Sequence, residues 1–451
     1  MRADTIAAVA TAPGKGGVGI VRVSGPLVSD VMQSILGREL PVRKACFHIF
    51  KDKDGQAIDE GIALYFSAPN SYTGEDTLEL QGHGGAVVLN QVLAAVTQFP
   101  HVRLARPGEF SERAFLNNKL DLAQAEAVAD LIEASSEQAA RSALRSLKGA
   151  FSHQVNDIVS QLTELRTYVE AAIDFPDEEI DFLSSWGVAE KLDVLQQKVS
   201  SLLKRAQSGV RITNGLSVVI AGKPNAGKSS VLNALTGEAH AIVTDIPGTT
   251  RDLLRAELLL DGIPLHVVDT AGLRDSTDPV EKEGIRRARS AIAEADNILW
   301  IVDGVDEQAI ENAVAAISAQ FDSPERVTIV LNKIDLIGDF PTVKEVAGLP
   351  IIYLSAKQNV GVDLLSKHLL ARAGLSDLGE GAFTARQRHV DALLVAEDFV
   401  LKAIQSLNIH QAGELVAEDL RQAQLVLSEV TGQFTADDLL GKIFGEFCIG
   451  K

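Results

Sequence analysis

Between residues 1 and 118, short apolar runs are broken by glycine and polar stretches. Thr5 to Ala10 and Gly19 to Val23 predict strands on either side of a glycine-rich loop. Ile62 to Phe66 and Thr77 to Leu80 predict two more strands, and Gly85 to Val96 predicts a helix. The texture then becomes helical. Ser135 to Ile173 carries Val155, Ile158, Leu162, Leu165 and Val169 at alternating spacings of three and four, and Leu192, Leu195, Val199, Leu202 and Ala206 repeat that seam. Such a stripe suits helices packed at a shallow angle. Asp174-Phe175-Pro176-Asp177-Glu178-Glu179 separates the two stretches, because proline ends or kinks a helix.

From residue 211 the pattern changes again. Apolar runs at Ser217–Ala221, Leu265–Val268, Ile298–Val302, Val327–Leu331 and Ile351–Leu354 alternate with helical stretches, the βαβ rhythm of a parallel sheet. Helical periodicity resumes from Thr384 to Thr431. The expected architecture is multidomain: an α+β N-terminal domain (1–118), a split all-α helical domain (119–210 and 375–451), and an α/β P-loop domain (211–374) inserted between its halves.

Composition narrows the class. With 46% apolar and 23% charged residues the chain is ordinary for a soluble globular protein. No apolar run reaches the ~18 residues needed to span a bilayer. Arg2 and a short apolar patch do not make a signal peptide, so none is expected. Two cysteines, Cys46 and Cys448, exclude a disulfide framework and point to a reducing cytoplasm. Residues 1–120 hold 12 basic and 12 acidic side chains, so the net charge of −19 lies entirely in 121–451. General nucleic-acid affinity is therefore not expected; any RNA contact must use a local basic patch or a partner.

Four strings carry the chemistry, each following an apolar run. Gly222-Lys223-Pro224-Asn225-Ala226-Gly227-Lys228-Ser229, followed by Ser230 and a helix start, fits G-x-x-x-x-G-K-[ST]. Its glycines let backbone N–H groups wrap phosphates, Lys228 supplies charge at the β/γ oxygens, and Ser229 offers a hydroxyl to Mg²⁺. In Asp269-Thr270-Ala271-Gly272, Asp269 would reach the metal and the Gly272 N–H the γ-phosphate. Asn332-Lys333-Ile334-Asp335 and Ser355-Ala356-Lys357 would form the base pocket. Asp335 can accept from both N1–H and the 2-amino group of guanine. Adenine offers neither donor, and such mismatches discriminate by roughly 10⁴-fold. Asn332 would hold the loop and Ser355 to Lys357 would back the base.

Between the first two strings, Thr244-Asp245-Ile246-Pro247-Gly248-Thr249-Thr250-Arg251-Asp252 fits a switch segment that orders around γ-phosphate and Mg²⁺, with Thr250 as metal ligand. Leu273 stands where a water-orienting glutamine might be expected. Transition-state charge must still be met by some cation, and the residues alone do not choose it. Gly14-Lys15-Gly16-Gly17-Val18-Gly19 matches G-x-G-x-x-G, but it runs into strand-like Ile20 to Val23 and not into a helix. It is read as a β-connection, not a dinucleotide site.

The flanking strings resemble the tRNA modification GTPase MnmE (TrmE) family. They are Leu78-Glu79-Leu80-Gln81-Gly82-His83-Gly84-Gly85, Arg106-Pro107-Gly108-Glu109-Phe110-Ser111, Phe115 to Ala127, and Phe447-Cys448-Ile449-Gly450-Lys451. The resemblance implies an N-terminal folate-binding and dimerising domain. It implies a homodimer that works with the flavoprotein MnmG on carbon 5 of the wobble uridine (uridine 34) of tRNA, adding an aminomethyl or carboxymethylaminomethyl group. The one-carbon unit would come from a tetrahydrofolate derivative (5-formyl or 5,10-methylene form), and GTP hydrolysis would be K⁺-dependent. Carried onto matching positions, Asn225 would bind K⁺ with Thr244, Ile246 and Thr249; Glu281 would position water; Arg22, Glu79, Lys119 and Lys451 would contact folate. His83 is read as a turn or packing residue. The competing reading is a regulatory or assembly switch GTPase, whose nucleotide state only gates binding; it needs no folate pocket.

Overall fold

The computed structural model describes residues 4–174, 187–238, 240–241, 255–269, 292–293, 295–321, 323–374, 381–410, 412–433, 437–445, 447–448 and 450. The chain forms two compact units: Met1–Ala129, Leu147–Gln196 and Val395–Lys451 in one, Asp130–Ser146 and Gln197–Leu394 in the other.

The first unit is built on a six-stranded sheet, in the order β3 (Cys46–Lys51), β4 (Ala57–Phe66), β5 (Thr77–Gly84), β2 (Gly16–Ser24), β1 (Thr5–Val9), β6 (Val102–Leu104). All pairings are antiparallel except β1 with β6. Strand alternation sends Val21, Val23, Leu78 and Leu80 into a core shared with α1 (Val28–Leu36) and α2 (Ala86–Thr97). It sends Arg22 and Glu79, which are directly paired in register, to the other face. The glycine-rich loop enters β2, as its sequence context required. Glycine is needed here for close approach: a Cβ at Gly84 would lie 2.5 Å from the Gly16 carbonyl.

The helical part of this unit follows the seam read from sequence. Val155, Ile158, Leu162, Leu165 and Val169 are all buried on α6 (Ala150–Asp174), beside α13 (Gly413–Thr431), where Arg166 Nη1 donates to Gln424 Oε1 at 2.8 Å. Two stretches that read as helical in the sequence each hold two helices, the first of each lying largely or partly in the other unit. Ser135–Ile173 is divided into α5 (Glu137–Leu147) and α6, because Gly149 at φ +87° ends the first. Thr384–Thr431 is divided into α12 (Gln387–Gln405) and α13. His83 is neither turn nor core: it lies exposed in β5, its Nδ1 2.7 Å from Asp59 Oδ1.

The second unit holds an eight-stranded sheet. Its order is β13 (Thr342–Val346), β14 (Leu349–Tyr353), β12 (Val327–Asn332), β11 (Asn297–Asp303), β7 (Leu216–Gly222), β10 (Ile263–Asp269), β9 (Arg255–Leu260), β8 (His240–Ala241). The five strands from β14 to β10 are mutually parallel. Val218 and Ile220 face a core that includes residues of α8 (Lys228–Glu238) and α11 (Val362–Arg372); Val219 and Ala221 face α9 (Ala309–Gln320). Covering on both faces explains why these strands read as continuous apolar runs. Ser146 Oγ donates to the Thr384 carbonyl at 2.9 Å and Arg386 pairs with Asp130 at 3.0 Å, which ties the flanking helical segments together within this unit. Among the described residues no helix is long and apolar enough to cross a membrane.

Candidate guanine-nucleotide site

The parallel strands present their carboxyl ends together, the edge where open α/β sheets bind ligands. β7 ends at the phosphate loop, Gly222 to Lys228. Gly222 and Gly227 take φ of +135° and +97°, and Asn225 takes +64°. A Cβ at Gly227 would lie 2.2 Å from Asn332 Nδ2, so only glycine fits. Ala226 is buried, while Ser229 and Ser230 are exposed in the first turn of α8. Lys228 Nζ donates to the Gly222 and Lys223 carbonyls at 2.9 and 3.1 Å, so its ammonium is held inside the curl of the loop. Phosphate oxygens at a helix N-terminus are stronger acceptors for the same ammonium.

The base-reading strings converge on this loop. Asn332 is buried; its Nδ2 donates to the Ala226 carbonyl at 3.0 Å, and its Oδ1 accepts from Ala356 N at 3.1 Å. One side chain thus joins the phosphate loop to the segment after β14. Ser355, fully buried, donates from Oγ to Asp335 Oδ1 at 2.6 Å and accepts from Gln358 N at 3.3 Å. That bond fixes the Asp335 carboxylate. Lys357 is exposed. Lys333, at φ +69°, donates to the Asn225 carbonyl at 3.0 Å and to Asp303 Oδ2 at 2.6 Å.

Asp303 was not singled out in the sequence. Its signal was available: an acid closing an apolar strand beside the phosphate-loop strand. Burial works against its charged form, but the Lys333 hydrogen bond and charge and the Val305 N–H outweigh it and hold the carboxyl below its usual range.

Asp269 closes β10 in register with Ile220. Thr244, Asp245, Ile246, Pro247, Gly248, Thr249, Thr250, Thr270, Ala271, Gly272 and Glu281 lie outside the described residues. Of the proposed metal donors, Ser229 is exposed at the helix start, and among the described residues no partner engages the exposed Asn225 side-chain amide. An uncommitted amide and a hydroxyl beside a phosphate cradle fit hard cations.

The proposed folate residues belong to the first unit. Arg22 Nε and Nη2 both reach Glu79 Oε1, at 3.0 and 2.9 Å. The guanidinium lies over Tyr72 (5.6 Å) and Phe110 (5.7 Å), and Tyr72 Oη is 2.8 Å from Ser111 Oγ. Burial raises the Tyr72 phenol above its usual range, against the pull of the Ser111 bond and the Arg22 charge. Lys119 Nζ donates to the Pro69 carbonyl at 3.0 Å. Arg22 and Lys119 therefore meet different parts of one loop, 69–76, to which Asn117 also donates, at the Thr73 carbonyl (2.7 Å). Lys451 lies outside the described residues. Gly450 is held against β1, where a Cβ would lie 2.3 Å from the Val9 carbonyl. A partly accessible Arg–Glu pair fits a ligand with paired polar ring edges.

The MnmE helical domain family matches residues 122–448, and the family described as GTP-binding protein TrmE N-terminus matches 5–119. The chain belongs to the MnmE family. It is 56% identical to the tRNA modification GTPase MnmE of Histophilus somni (strain 129Pt) over 452 residues, covering 100% of both chains. It is 57% identical to that of Hydrogenovibrio crunogenus over 448 residues, covering 99% of each, and 55% identical to that of Shewanella amazonensis over 453 residues, covering 100% of each. The two family matches cover the α+β N-terminal segment and, in one run, the helical segments together with the P-loop strands between them.

Proposed function

We propose that this chain hydrolyses GTP to GDP and phosphate and uses the turnover to drive tRNA modification. Its G unit would be K⁺-activated, and it would act as a cytoplasmic homodimer with the flavoprotein MnmG at carbon 5 of the wobble uridine. The observation that carries the nucleotide reading is the joined loop set: Asn332 binding both Ala226 O and Ala356 N, and Ser355 fixing Asp335. The phosphate loop wraps the phosphates with backbone N–H groups, and Lys228 exchanges its two carbonyl partners for phosphate oxygens. Ser229, with Thr250, would hold Mg²⁺, and Asn225, with Thr244, Ile246 and Thr249, would hold K⁺. A cation held there would supply positive charge to offset the charge that develops on the phosphoryl oxygens. Leu273 has no group that can orient water, which leaves the water to Glu281.

Turnover in KCl is expected to exceed turnover in NaCl by roughly 10²-fold, the scale of one lost electrostatic stabiliser in a phosphoryl or acyl transition state. Asn225→Ala should bring the two salts together. Equal wild-type rates in both would end the potassium assignment.

The Arg22–Glu79 pair, Lys119 and Lys451 would bind a tetrahydrofolate derivative, whose one-carbon unit the modification consumes. Titration calorimetry of the full chain with 5-formyltetrahydrofolate should show binding that Arg22→Ala weakens by roughly 10-fold or more, the loss of a charge-assisted pair. Heat of binding indistinguishable between wild type and Arg22→Ala would remove Arg22 from that site.

A further inference from the structure

Two successive carbonyls of the phosphate loop are held from the base-reading loop: Asn225 O by Lys333 Nζ, and Ala226 O by Asn332 Nδ2, each at 3.0 Å. In a trans peptide the C=O and the following N–H point in opposite directions. Holding these carbonyls toward the base loop therefore turns the N–H groups of Ala226 and Gly227 the other way. Ala226 N–H is in fact directed at the Lys223 carbonyl within the loop, at 3.4 Å. Asn332 can do this unaided, because it is buried and bonded at both ends of its amide. Lys333 cannot: a lysine stem has many rotamers and its ammonium is otherwise drawn to water.

Asp303 supplies what is missing. Its Oδ2 lies 2.6 Å from Lys333 Nζ, and its Oδ1 accepts from Val305 N at 3.1 Å. The turn it sits in is itself fixed. Gly304 N donates to the Asn332 carbonyl at 2.8 Å, and Asp303 pairs in register with Asn332 on the adjacent strand. We propose that Asp303 is a positioning residue of the nucleotide site: it holds Lys333 on the Asn225 carbonyl, and so presets the phosphate-loop amides before nucleotide arrives. The proposal rests on the reading of this site as a guanine-nucleotide site.

The test is a double-mutant cycle on the full chain, read as the affinity and dissociation rate of fluorescent GDP and the affinity of GTP. Asp303→Asn should weaken both nucleotides about 10-fold, the scale of one charge-assisted hydrogen bond, mostly through faster dissociation. Asp303→Asn with Lys333→Met should be no weaker than Lys333→Met alone, because both remove one relay. Asp303→Glu, which keeps the charge, should recover part of the affinity. A merely structural role would lower the melting temperature while the folded fraction released GDP at the wild-type rate. That result, additive losses in the cycle, or wild-type affinity in Asp303→Asn would each overturn the proposal alone. A wild-type chain that binds no GDP would overturn the parent reading and the proposal with it.

Discussion

Replacing Asp335 with asparagine will shift the base preference of this chain from guanine to xanthine. The carboxylate can only accept, and guanine offers it two donors, N1–H and the 2-amino group. The asparagine amide presents one acceptor and one donor, which matches the N1–H and C2 carbonyl of xanthine and faces the 2-amino group of guanine with a donor. The structure makes the exchange specific to the base edge. Ser355 Oγ donates to Asp335 Oδ1 at 2.6 Å and can donate equally to an amide oxygen, so the side chain keeps its position while its outer atom changes character. Asn332, which joins the phosphate loop to the Ala356 segment, is untouched. Unpaired polar groups in a site built for hydrogen bonding discriminate by about 10⁴-fold, and a loss of GTP affinity of about 10²–10⁴-fold with a matching gain for XTP is expected. Calorimetric titration of both nucleotides into wild type and Asp335→Asn measures it. A variant that still prefers GTP would show that Asp335 does not read the base.

The parts of this site that were legible in the sequence are those whose geometry is local. A phosphate loop is a backbone conformation, and Gly222, Asn225 and Gly227 at positive φ write it directly into residue types. The parallel strands were legible because both of their faces are covered, which turns each into an unbroken apolar run. β13 was not, since its pattern is exposed at nearly every position and its antiparallel place on the edge asks little of its side chains. β3 was missed for a related reason: its alternation leaves Phe47 and Ile49 exposed, so neither face reads as polar. The seam from Val155 to Val169 shows a helix face but not where the helix begins, a boundary that Gly149 sets by its backbone. Asp303 is not legible because its meaning lies in a partner 30 residues away, just past the end of the neighbouring strand. The charges of the N-terminal unit were opaque in the same way. Arg113 and Asp4 are 109 positions apart, and nothing in either segment says that they touch.

Those charges carry the second large effect. Glu109, buried at the start of α3 (Glu109–Leu116), accepts from Arg103 Nη1 and Nη2 at 2.8 and 2.5 Å, from Arg106 N at 2.8 Å and from Arg113 Nη2 at 3.3 Å. Arg113, nearly buried, also donates to Asp4 Oδ1 at 2.8 Å and Glu75 Oε2 at 3.0 Å, so one cluster ties the N-terminal segment ahead of β1, the loop before β5, β6 and α3. Glu109→Ala leaves two guanidinium groups short of their shared acceptor, though each keeps another carboxylate, and losing hydrogen bonds to a charged group costs about 1.5–3 kcal/mol. Residues 1–120 contain no tryptophan, so the loss is best read as the urea midpoint of β1 and β6 peptides in pulsed hydrogen exchange at one labelling pH. The pH dependence has a fixed sign. Burial opposes ionisation of Glu109 and Asp4, but the hydrogen bonds and charges of Arg103 and Arg113 outweigh it, holding both carboxyls below their usual 4.5 and 3.8. Their contribution is fully present above those values and is lost as pH falls through the depressed native ones. The gap between wild type and Glu109→Ala should therefore be widest near neutrality and close in acid. A midpoint unchanged at pH ~7, or a gap that widens on acidification, would show that the cluster does not hold this unit together.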